Sequence, residues 1–206
     1  MDVVSKTMYH FHKNGIHDDE YFPQNEIIVD DNYESHYGLV LKYFTTGVKN
    51  LDGNMVPYNN IIDDYFNEEK DLEYAEDLLK GASTIINGMN IFLREKALEE
   101  VRVLKYPNLP SRLHSMWLTD KKGLSFWRKA LTNPQSKNPH QLALFKVNVT
   151  GNLFKTSDYL IPDDNRTYEA KLWQAHMYWK PDYSGLYADR SEYLFQGKVK
   201  ILEKLK

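Results

Sequence analysis

The chain of 206 residues contains no cysteine. Disulfide bonds, zinc sites built from thiolates and a cysteine nucleophile are therefore excluded, and the composition fits a reducing compartment. A surplus of one charge is missing too, since 26 Lys and Arg stand against 29 Asp and Glu, a net charge of −3. Strong non-specific binding to nucleic acid usually needs a basic surplus, so only a local basic face in the Lys- and Arg-richer second half could support it.

Long apolar runs are also missing. The first residues, MDVVSKTMYHFHKNG, contain no stretch suited to a signal peptide, and no segment approaches the length of a membrane span. We therefore expect a cytoplasmic protein with no membrane partner. The fingerprints G-x-G-x-x-G and G-x-x-x-x-G-K-[ST] are absent as well, which argues against a Rossmann or P-loop nucleotide site.

What the sequence does contain is patterned as a single domain over residues 1–206, with a helical section at about 32–105. Helices concentrate in the first half and strands in the second, which predicts an α+β fold rather than a doubly wound α/β fold. The predicted helices cover 33–44, capped by Asp31 or Asn32, then 68–104, broken in two at Gly81 and Gly88, then 124–131 after Asp120, and 167–179. The predicted strands cover 6–12, 114–119, 142–150, which ends at Gly151, and 193–202, which bends at Gly197.

The first candidate site is the pair His10 and His12 in the first predicted strand. Side chains two residues apart face the same side of a strand, so the two imidazoles could act together. They could bind a metal with further ligands from elsewhere, although no spacing selects such a ligand, and we expect no metal site. A strand histidine could also hold a ribose hydroxyl. The alternative is an ordinary structural histidine.

The second candidate lies between residues 110 and 120. Arg112 precedes a short strand and could bind a phosphate with both arms of its guanidinium. Trp117, in the strand, could offer a flat face to a ring, and Ser115 lies nearby. A core tryptophan and a surface ion-pair partner are equally compatible with this segment.

The third candidate is Glu192, at the start of the last predicted strand. A carboxylate that enters an apolar strand is costly to bury without a partner. At the edge of a cleft it could stabilise a sugar centre with oxocarbenium character, as carboxylates do in glycoside hydrolysis. An exposed glutamate at the start of an edge strand is the alternative.

Together these segments resemble the ADP-ribosyltransferase superfamily. The likeness rests on MYHFHKNG, on REKALEEVRVLKYPNLPSRLHSMWLTD and on SEYLFQGKVKIL, which match the order of the superfamily's three motif strands. It points to a bacterial family of ADP-ribosyltransferase-like domains of unknown function, and more weakly to the rifamycin ADP-ribosyltransferases, through LFKVNVTGNLF. About half to two thirds of the chain is covered.

The resemblance implies two small orthogonal sheets, antiparallel or mixed, around a cleft that binds NAD as co-substrate. Glu192 would be the catalytic carboxylate, and His10 would hydrogen-bond the adenosine ribose. Trp117 would lie against nicotinamide, where the superfamily usually has Tyr. Ser115, Arg112 and His12 would complete the cofactor-binding set. Arg190 stands two residues before Glu192, where the arginine-modifying toxins have an acid, and this argues against arginine as the modified residue.

The expected function is therefore transfer of one ADP-ribose from NAD to a macromolecule, either protein, RNA or DNA. Proteins with such domains often act as toxins, phage-defence effectors or phage-encoded modifiers, and an antitoxin or regulatory partner would fit that role. Three alternatives stay open. The first is a non-catalytic module that binds NAD, ADP-ribose or a protein partner, the second is a transferase for a small molecule such as an antibiotic, and the third is a metal-dependent hydrolase built on His10 and His12.

Overall fold

The computed structural model describes residues 2–14, 26–49, 54–67, 72–132, 141–180 and 188–205. Within these ranges helices and antiparallel strands are combined, as the sequence predicts. The helices are His36–Tyr43 (α1), Tyr58–Asn67 (α2), Leu72–Lys105 (α3), Leu124–Leu131 (α4) and Tyr168–Trp179 (α5). The strands are Asp2–Asn14 (β1), Glu26–Val29 (β2), Gly47–Lys49 (β3), Met55–Pro57 (β4), Met116–Leu118 (β5), Gln141–Ser157 (β6) and Ser191–Leu205 (β7).

Five of the strands form one antiparallel sheet in the order β1-β6-β7-β2, and β5 joins it along the same edge of β7 as β2. Tyr9 in β1 also exchanges backbone hydrogen bonds with Thr119, directly after β5. Strands β1, β6, β7 and β5 therefore close into a ring. The remaining strands, β3 and β4, form a separate two-stranded ribbon.

A pair of glycines bends the two longest strands. Gly151 in β6 lies opposite Gly197 in β7, and both have positive φ angles, +152° and +140°. A Cβ atom on Gly151 would lie 2.4 Å from the carbonyl oxygen of Gln196 and 2.8 Å from the Cα of Gly197. Only glycine fits at this crossing. The prediction that the strand ends at Gly151 is wrong, because β6 bends there and continues to Ser157.

The two faces of the sheet bury two separate hydrophobic cores. The inner core lies inside the ring and includes Met8, Phe145, Val147, Tyr193 and Phe195. The outer core lies between the other face and helices α3 and α5, and its buried members are Leu98, Val101, Phe154, Ala175, Tyr178, Trp179 and Leu194. Because side chains alternate along a strand, neighbouring residues of β7 belong to different cores.

Helix α3 runs without interruption from Leu72 to Lys105, so the predicted break into two helices is wrong. The two glycines serve close packing instead. A Cβ atom on Gly81 would lie 2.9 Å from the ring of Tyr58, and one on Gly88 would lie 2.8 Å from the ring of Phe44. Each glycine lets an aromatic ring rest against the helix backbone, and this contact offsets the weak helix propensity of glycine.

The other predicted elements are largely confirmed. Helix α4 has the predicted bounds, and Asp120 accepts hydrogen bonds from the backbone of Lys122 and Gly123 just before it. Helix α1 begins later than predicted and is capped by Ser35 rather than Asp31 or Asn32. The sequence predicts loops at 16–31 and 47–57, but β2 lies within the first segment and the ribbon of β3 and β4 within the second. Residues 16–25 lie outside the described residues. No helix in the described ranges has the length and apolar character needed to cross a membrane.

Candidate functional site

The strongest concentration of buried charge surrounds Arg112, in a 3-10 turn (Arg112–His114) that precedes β5. Its Nε donates to Oε2 of Glu95 in α3 at 2.8 Å, and its Nη2 donates to Oε1 of the same carboxylate at 3.3 Å. Its Nη1 donates to Oε1 of Glu192 in β7 at 2.8 Å and also to the hydroxyl of Tyr178 in α5. One guanidinium thus ties α3, α5 and β7 to the turn before β5.

Almost none of this ionic network reaches the solvent. The side chains of Glu95, Arg112 and Glu192 are 0%, 1% and 3% exposed. Tyr178 donates its hydroxyl hydrogen to Oε1 of Glu192, so that oxygen has two donors. Charges this deeply buried are tolerated only when they are paired and hydrogen-bonded, and this cluster meets that condition.

Aromatic rings enclose the guanidinium on several sides. The Cζ atom of Arg112 lies 5.1 Å from the ring centre of Tyr37, 5.2 Å from that of Trp117 and 4.9 Å from that of Tyr178. Tyr37 and Trp117 also meet edge to face, with ring centres 5.2 Å apart. Ser35 at the start of α1 holds Tyr37 in place, since its hydroxyl donates to the carbonyl oxygen of Arg112 at 2.8 Å. Cation–π attraction adds to the ion pairs in such a dry site.

Burial and charge act in opposite directions on this cluster. Burial alone would lower the pKa of Arg112, but the charges of Glu95, Tyr178 and Glu192 outweigh it and hold the pKa well above its usual value. Burial raises the pKa of Glu192, and Arg112 together with the Tyr178 hydroxyl opposes that rise. Burial also raises the pKa of Asp158, which feels the charges of Arg190 and Arg112. Burial thus makes the charged forms of Glu192 and Asp158 less favourable, and the neighbouring arginines oppose that effect.

One carboxylate oxygen of Glu192 accepts no hydrogen bond from the described residues. Both of its hydrogen bonds involve Oε1, and Oε2 accepts none from the described residues. Leu194, two residues further along β7, pairs with Trp117 across the sheet. The carboxylate and the indole therefore share the outer-core face.

Arg112 and Ser115 have surroundings that the sequence did not predict. Arg112 was expected to bind a phosphate, but its guanidinium is committed to two carboxylates and a tyrosine. Ser115 was expected to contact NAD, but its side chain is fully buried. Its Oγ has no hydrogen-bond partner within the described part of the chain. Neither side chain presents a polar group to an open surface.

His10 lies on the wrong face of the sheet for the predicted site. It lies two residues after Met8, on the same face of β1, and pairs with Phe145, so it belongs to the inner-core face, whereas Glu192 belongs to the outer-core face. Its Nδ1 donates to the carbonyl oxygen of Trp117 at 2.8 Å. The prediction that His10 and Glu192 line one groove is therefore wrong, because strand alternation separates them. His10 instead joins β1 to β5.

His12 shares the face of His10, as the spacing predicts, with ring centres 6.0 Å apart. The two rings do not form part of a recognisable metal centre in the ranges that the structure covers. No group of three or more His, Asp or Glu side chains there could hold an ion. The alternative of a metal-dependent hydrolase built on these two histidines gains no support from the described residues.

The buried imidazole of His10 predicts a dependence of stability on pH. Burial, partly opposed by the hydrogen bond to Trp117 and reinforced by the charge of His12, lowers the pKa of His10 from 6.5 to about 4. The folded protein therefore resists protonation that the unfolded chain accepts below pH 6.5. The contribution of neutral His10 to the free energy of unfolding is fully present above pH 6.5. It is lost as the pH falls toward 4, and the total loss is roughly 3 kcal/mol.

Urea unfolding of the wild type and of His10→Gln, at a series of pH values from about 7.5 to about 4, measures this effect. The free energy of unfolding should fall more steeply with decreasing pH in the wild type than in the variant. Parallel lines for the two proteins would contradict the assignment to His10.

Three members of the cluster were missed at the sequence level, namely Glu95, Tyr178 and Tyr37. Glu95 carried a usable signal, because it follows Ile91 by four residues and precedes Leu98 by three, on the apolar stripe of α3. A carboxylate at such a position is costly unless it has a buried partner. The two tyrosines had no comparable signal in a chain with 15 tyrosines.

Two surface concavities lie apart from this cluster. One, of about 430 Å³, is apolar and lies between α1, β3 and α3, with Leu39, Phe44 and Ile85 in its wall. The other, of about 420 Å³, is polar and is lined by Arg102, His114 and Asn152, among others. None of the residues predicted for the site lines either concavity, so volume alone does not select the site. The charged cluster around Arg112 is the candidate site because of its buried ionic groups.

Fold and site together define an α+β protein in which a ring of antiparallel strands carries a buried arginine–carboxylate–aromatic cluster. The chain belongs to the family described as a protein of unknown function, DUF2441, whose family model matches residues 8–206. No curated protein matches the chain.

Proposed function

We propose that this protein is a mono-ADP-ribosyltransferase that moves ADP-ribose from NAD to a macromolecule. The observation that carries the proposal is Glu192, a buried carboxylate at the start of β7 whose Oε2 has no partner among the described residues. It stands beside Trp117 and the rings around Arg112. An unshared carboxylate oxygen next to flat apolar surfaces suits the nicotinamide-bearing ribose of NAD.

The finer part of the fold also belongs to this proposal. In an ADP-ribosyltransferase-like domain two small sheets cross beside the dinucleotide. Here the two halves of β6 and β7, on either side of the bend at Gly151 and Gly197, take the place of those two sheets. The half in which β5 pairs with β7 contains both Trp117 and Glu192.

The proposed reaction breaks the bond between nicotinamide and the anomeric carbon of its ribose. The bonding electron pair leaves with nicotinamide, a nucleophilic oxygen or nitrogen of the acceptor bonds to the anomeric carbon, and the acceptor's proton passes to solvent. As positive charge develops on the sugar, the negative charge of Glu192 stabilises it. Arg112 and Tyr178 bond Oε1, so Oε2 is the oxygen left to accept a hydrogen bond from a ribose hydroxyl in the proposed complex.

His10 takes a positioning role in this scheme rather than the ribose contact that the resemblance implied. Its hydrogen bond to the carbonyl oxygen of Trp117 fixes β5 relative to β1. Tyr37, which packs edge to face against Trp117 and stacks near Arg112, joins Trp117 as an aromatic wall.

A second candidate is a module that binds NAD or ADP-ribose without turnover. The ion pair between Arg112 and Glu192 favours it, because a guanidinium at 2.8 Å offsets part of the negative charge that the transfer needs. Transfer to a small molecule such as an antibiotic would use the same site.

The test is incubation of the wild-type protein and cell lysate with NAD that is labelled in its adenylate group. We expect release of nicotinamide and label in a macromolecular fraction, separated into protein, RNA and DNA. Label in the small-molecule fraction would select the antibiotic-type reaction. Tight binding of NAD by calorimetry without nicotinamide release would select the non-catalytic module. Absence of both binding and release would overturn the proposal.

A further inference from the structure

We propose that the acceptor is a nucleic acid, and that it binds a basic and aromatic surface around α4, here called the α4 patch. The α4 patch consists of Lys121, Lys122, Arg128, Lys129 and Arg190 with the rings of Phe126 and Tyr159. The acceptor role rests on the proposed function, whereas the binding itself does not and is tested separately.

The α4 patch has a local surplus of positive charge. Segment 120–132 carries four cations and one carboxylate in a protein whose net charge is −3. That carboxylate, Asp120, is occupied, since it accepts hydrogen bonds from two backbone amides and from the Tyr193 hydroxyl. The side chains of Lys121, Lys122 and Lys129 are exposed and form no ion pair with any described residue. Such a surface attracts phosphates.

The second argument is the placement of aromatic rings among these cations. The guanidinium of Arg190 lies 5.0 Å from the ring centre of Phe126 and 5.7 Å from that of Tyr159. Tyr159 is 55% exposed. Bases of single-stranded nucleic acid stack on exposed rings and on arginine planes while neighbouring cations bind the backbone. An acidic protein segment would need the cations but has no use for the exposed ring of Tyr159 beside them, so the surface favours nucleic acid.

The third argument is proximity to Glu192. The indole nitrogen of Trp127 in α4 donates to the carbonyl oxygen of Ser191 at 2.9 Å, one residue before Glu192. Arg190 lies two residues before Glu192. The carboxylate of Asp158 interacts electrostatically with both Arg190 and Arg112. The α4 patch and the charged cluster therefore meet at the start of β7. A nucleic-acid strand bound to the α4 patch would bring its bases or hydroxyls toward Glu192.

The carboxylates at this surface do not cancel its charge. Three face it, namely Asp120, Asp158 and Asp189, against five cations. Asp120 is engaged as described, and Asp158 interacts electrostatically with Arg190 and Arg112, while burial raises the pKa of its carboxyl. Asp189 is the exposed one. The chemistry of transfer is that of the proposed reaction, with a hydroxyl, a ring nitrogen or an exocyclic amine of the nucleic acid as the nucleophile that gives up its proton.

The test is fluorescence anisotropy with labelled single-stranded RNA, single-stranded DNA and duplex DNA of about 12 nucleotides, without NAD, from about 50 to about 300 mM salt. We expect the double variant R128E/K129E to bind at least about tenfold more weakly than the wild type. The slope of log affinity against log salt should become shallower by about 1.4 for single strands. The variant K121A/K122A, which lies before the helix and leaves it intact, should show a smaller loss in the same direction.

The matched control is K96E/K200E, which makes the same charge change at exposed positions in α3 and in the far half of β7, and it should bind like the wild type. Circular dichroism confirms that each variant is folded. Equal binding by the wild type and both patch variants would overturn the proposal. A polyglutamate peptide that competes as well as the oligonucleotides would do the same. The three probes identify which nucleic acid is bound. If the protein binds oligonucleotides but releases no nicotinamide, the proposed transferase activity is wrong and the proposed binding at the α4 patch still holds.

Discussion

Replacement of Arg112 by methionine is expected to lower the free energy of unfolding by about 4 kcal/mol. It leaves buried Glu192 without a cation among the described residues, and it leaves buried Glu95 with only Arg94, whose Nε lies 3.3 Å from Oε1 of Glu95. Glu95 would lose both of its hydrogen bonds from Arg112, and Glu192 would retain only the Tyr178 hydroxyl. Methionine fills a similar volume and packs against the rings of Tyr37 and Trp117. The loss therefore reports the uncompensated charges rather than a cavity.

A second substitution separates the electrostatic part of this loss of stability from any effect of changed packing. Adding Glu95→Gln to Arg112→Met removes one of the two buried carboxylate charges, the one that keeps Arg94 as its only cation, so the double variant should be more stable than Arg112→Met alone. In a double-mutant cycle this appears as a coupling energy of a few kcal/mol. Urea unfolding followed by tryptophan fluorescence measures all four proteins, and the chain has four tryptophans to report it.

Arg102→Met provides the matched control for this cycle. Arg102 also pairs with a glutamate on α3, Glu99, but its side chain is 14% exposed and that of Glu99 is 21% exposed. Water can solvate the carboxylate that this change leaves behind, so a cost of about 1 kcal/mol is expected. If the two methionine variants lost equal stability, burial of the Arg112 network would not be the source of its effect.

The fold was predictable where local patterns decide it. Helix α4 and helix α5 follow from short apolar periodicities. Helix α4 comes after the turn at Asp120, and α5 has Thr167 as its N-cap. The continuous helix α3 was not predictable, because the reason that Gly81 and Gly88 are tolerated lies in rings from α2 and from the end of α1. Local propensity favoured a break, and tertiary packing outweighed it.

The sequence indicated some residues of the charged cluster but not the contacts between them. Glu192 stood out as a charge at the start of an apolar strand, and Arg112 as a cation before a short one. That these two pair with each other depends on contacts across 80 residues of sequence, which no local pattern contains. The separation of His10 from Glu192 likewise depends on the register of β1, β6 and β7. A shift of one residue in that register would have moved His10 to the other face.

The same geometry sets the expectation for catalysis, where Glu192→Gln should have the largest effect. Glutamine keeps the shape of the side chain and an oxygen for Arg112, but it carries no charge to stabilise the sugar cation. The kcat for nicotinamide release should fall by about 10²- to 10³-fold, similar to the loss of one strong electrostatic contact to a transition state. The KM for NAD should change much less, because the lost interaction develops as the bond breaks.

The pH dependence of the reaction adds a signature that a purely structural role would not give. Transfer needs ionised Glu192, and burial raises the pKa of this carboxyl above its ordinary value of 4.5. In the wild type kcat should therefore fall as pH decreases through that raised pKa, whereas the low residual rate of Glu192→Gln should lack this acid limb. Glu99→Gln, which removes a carboxylate of α3 that bonds Arg102 and Ser111, should keep both the rate and the profile of the wild type. Equal rates for the wild type and Glu192→Gln would remove Glu192 from the chemistry, and NAD cleavage by this fold would then require a different carboxylate.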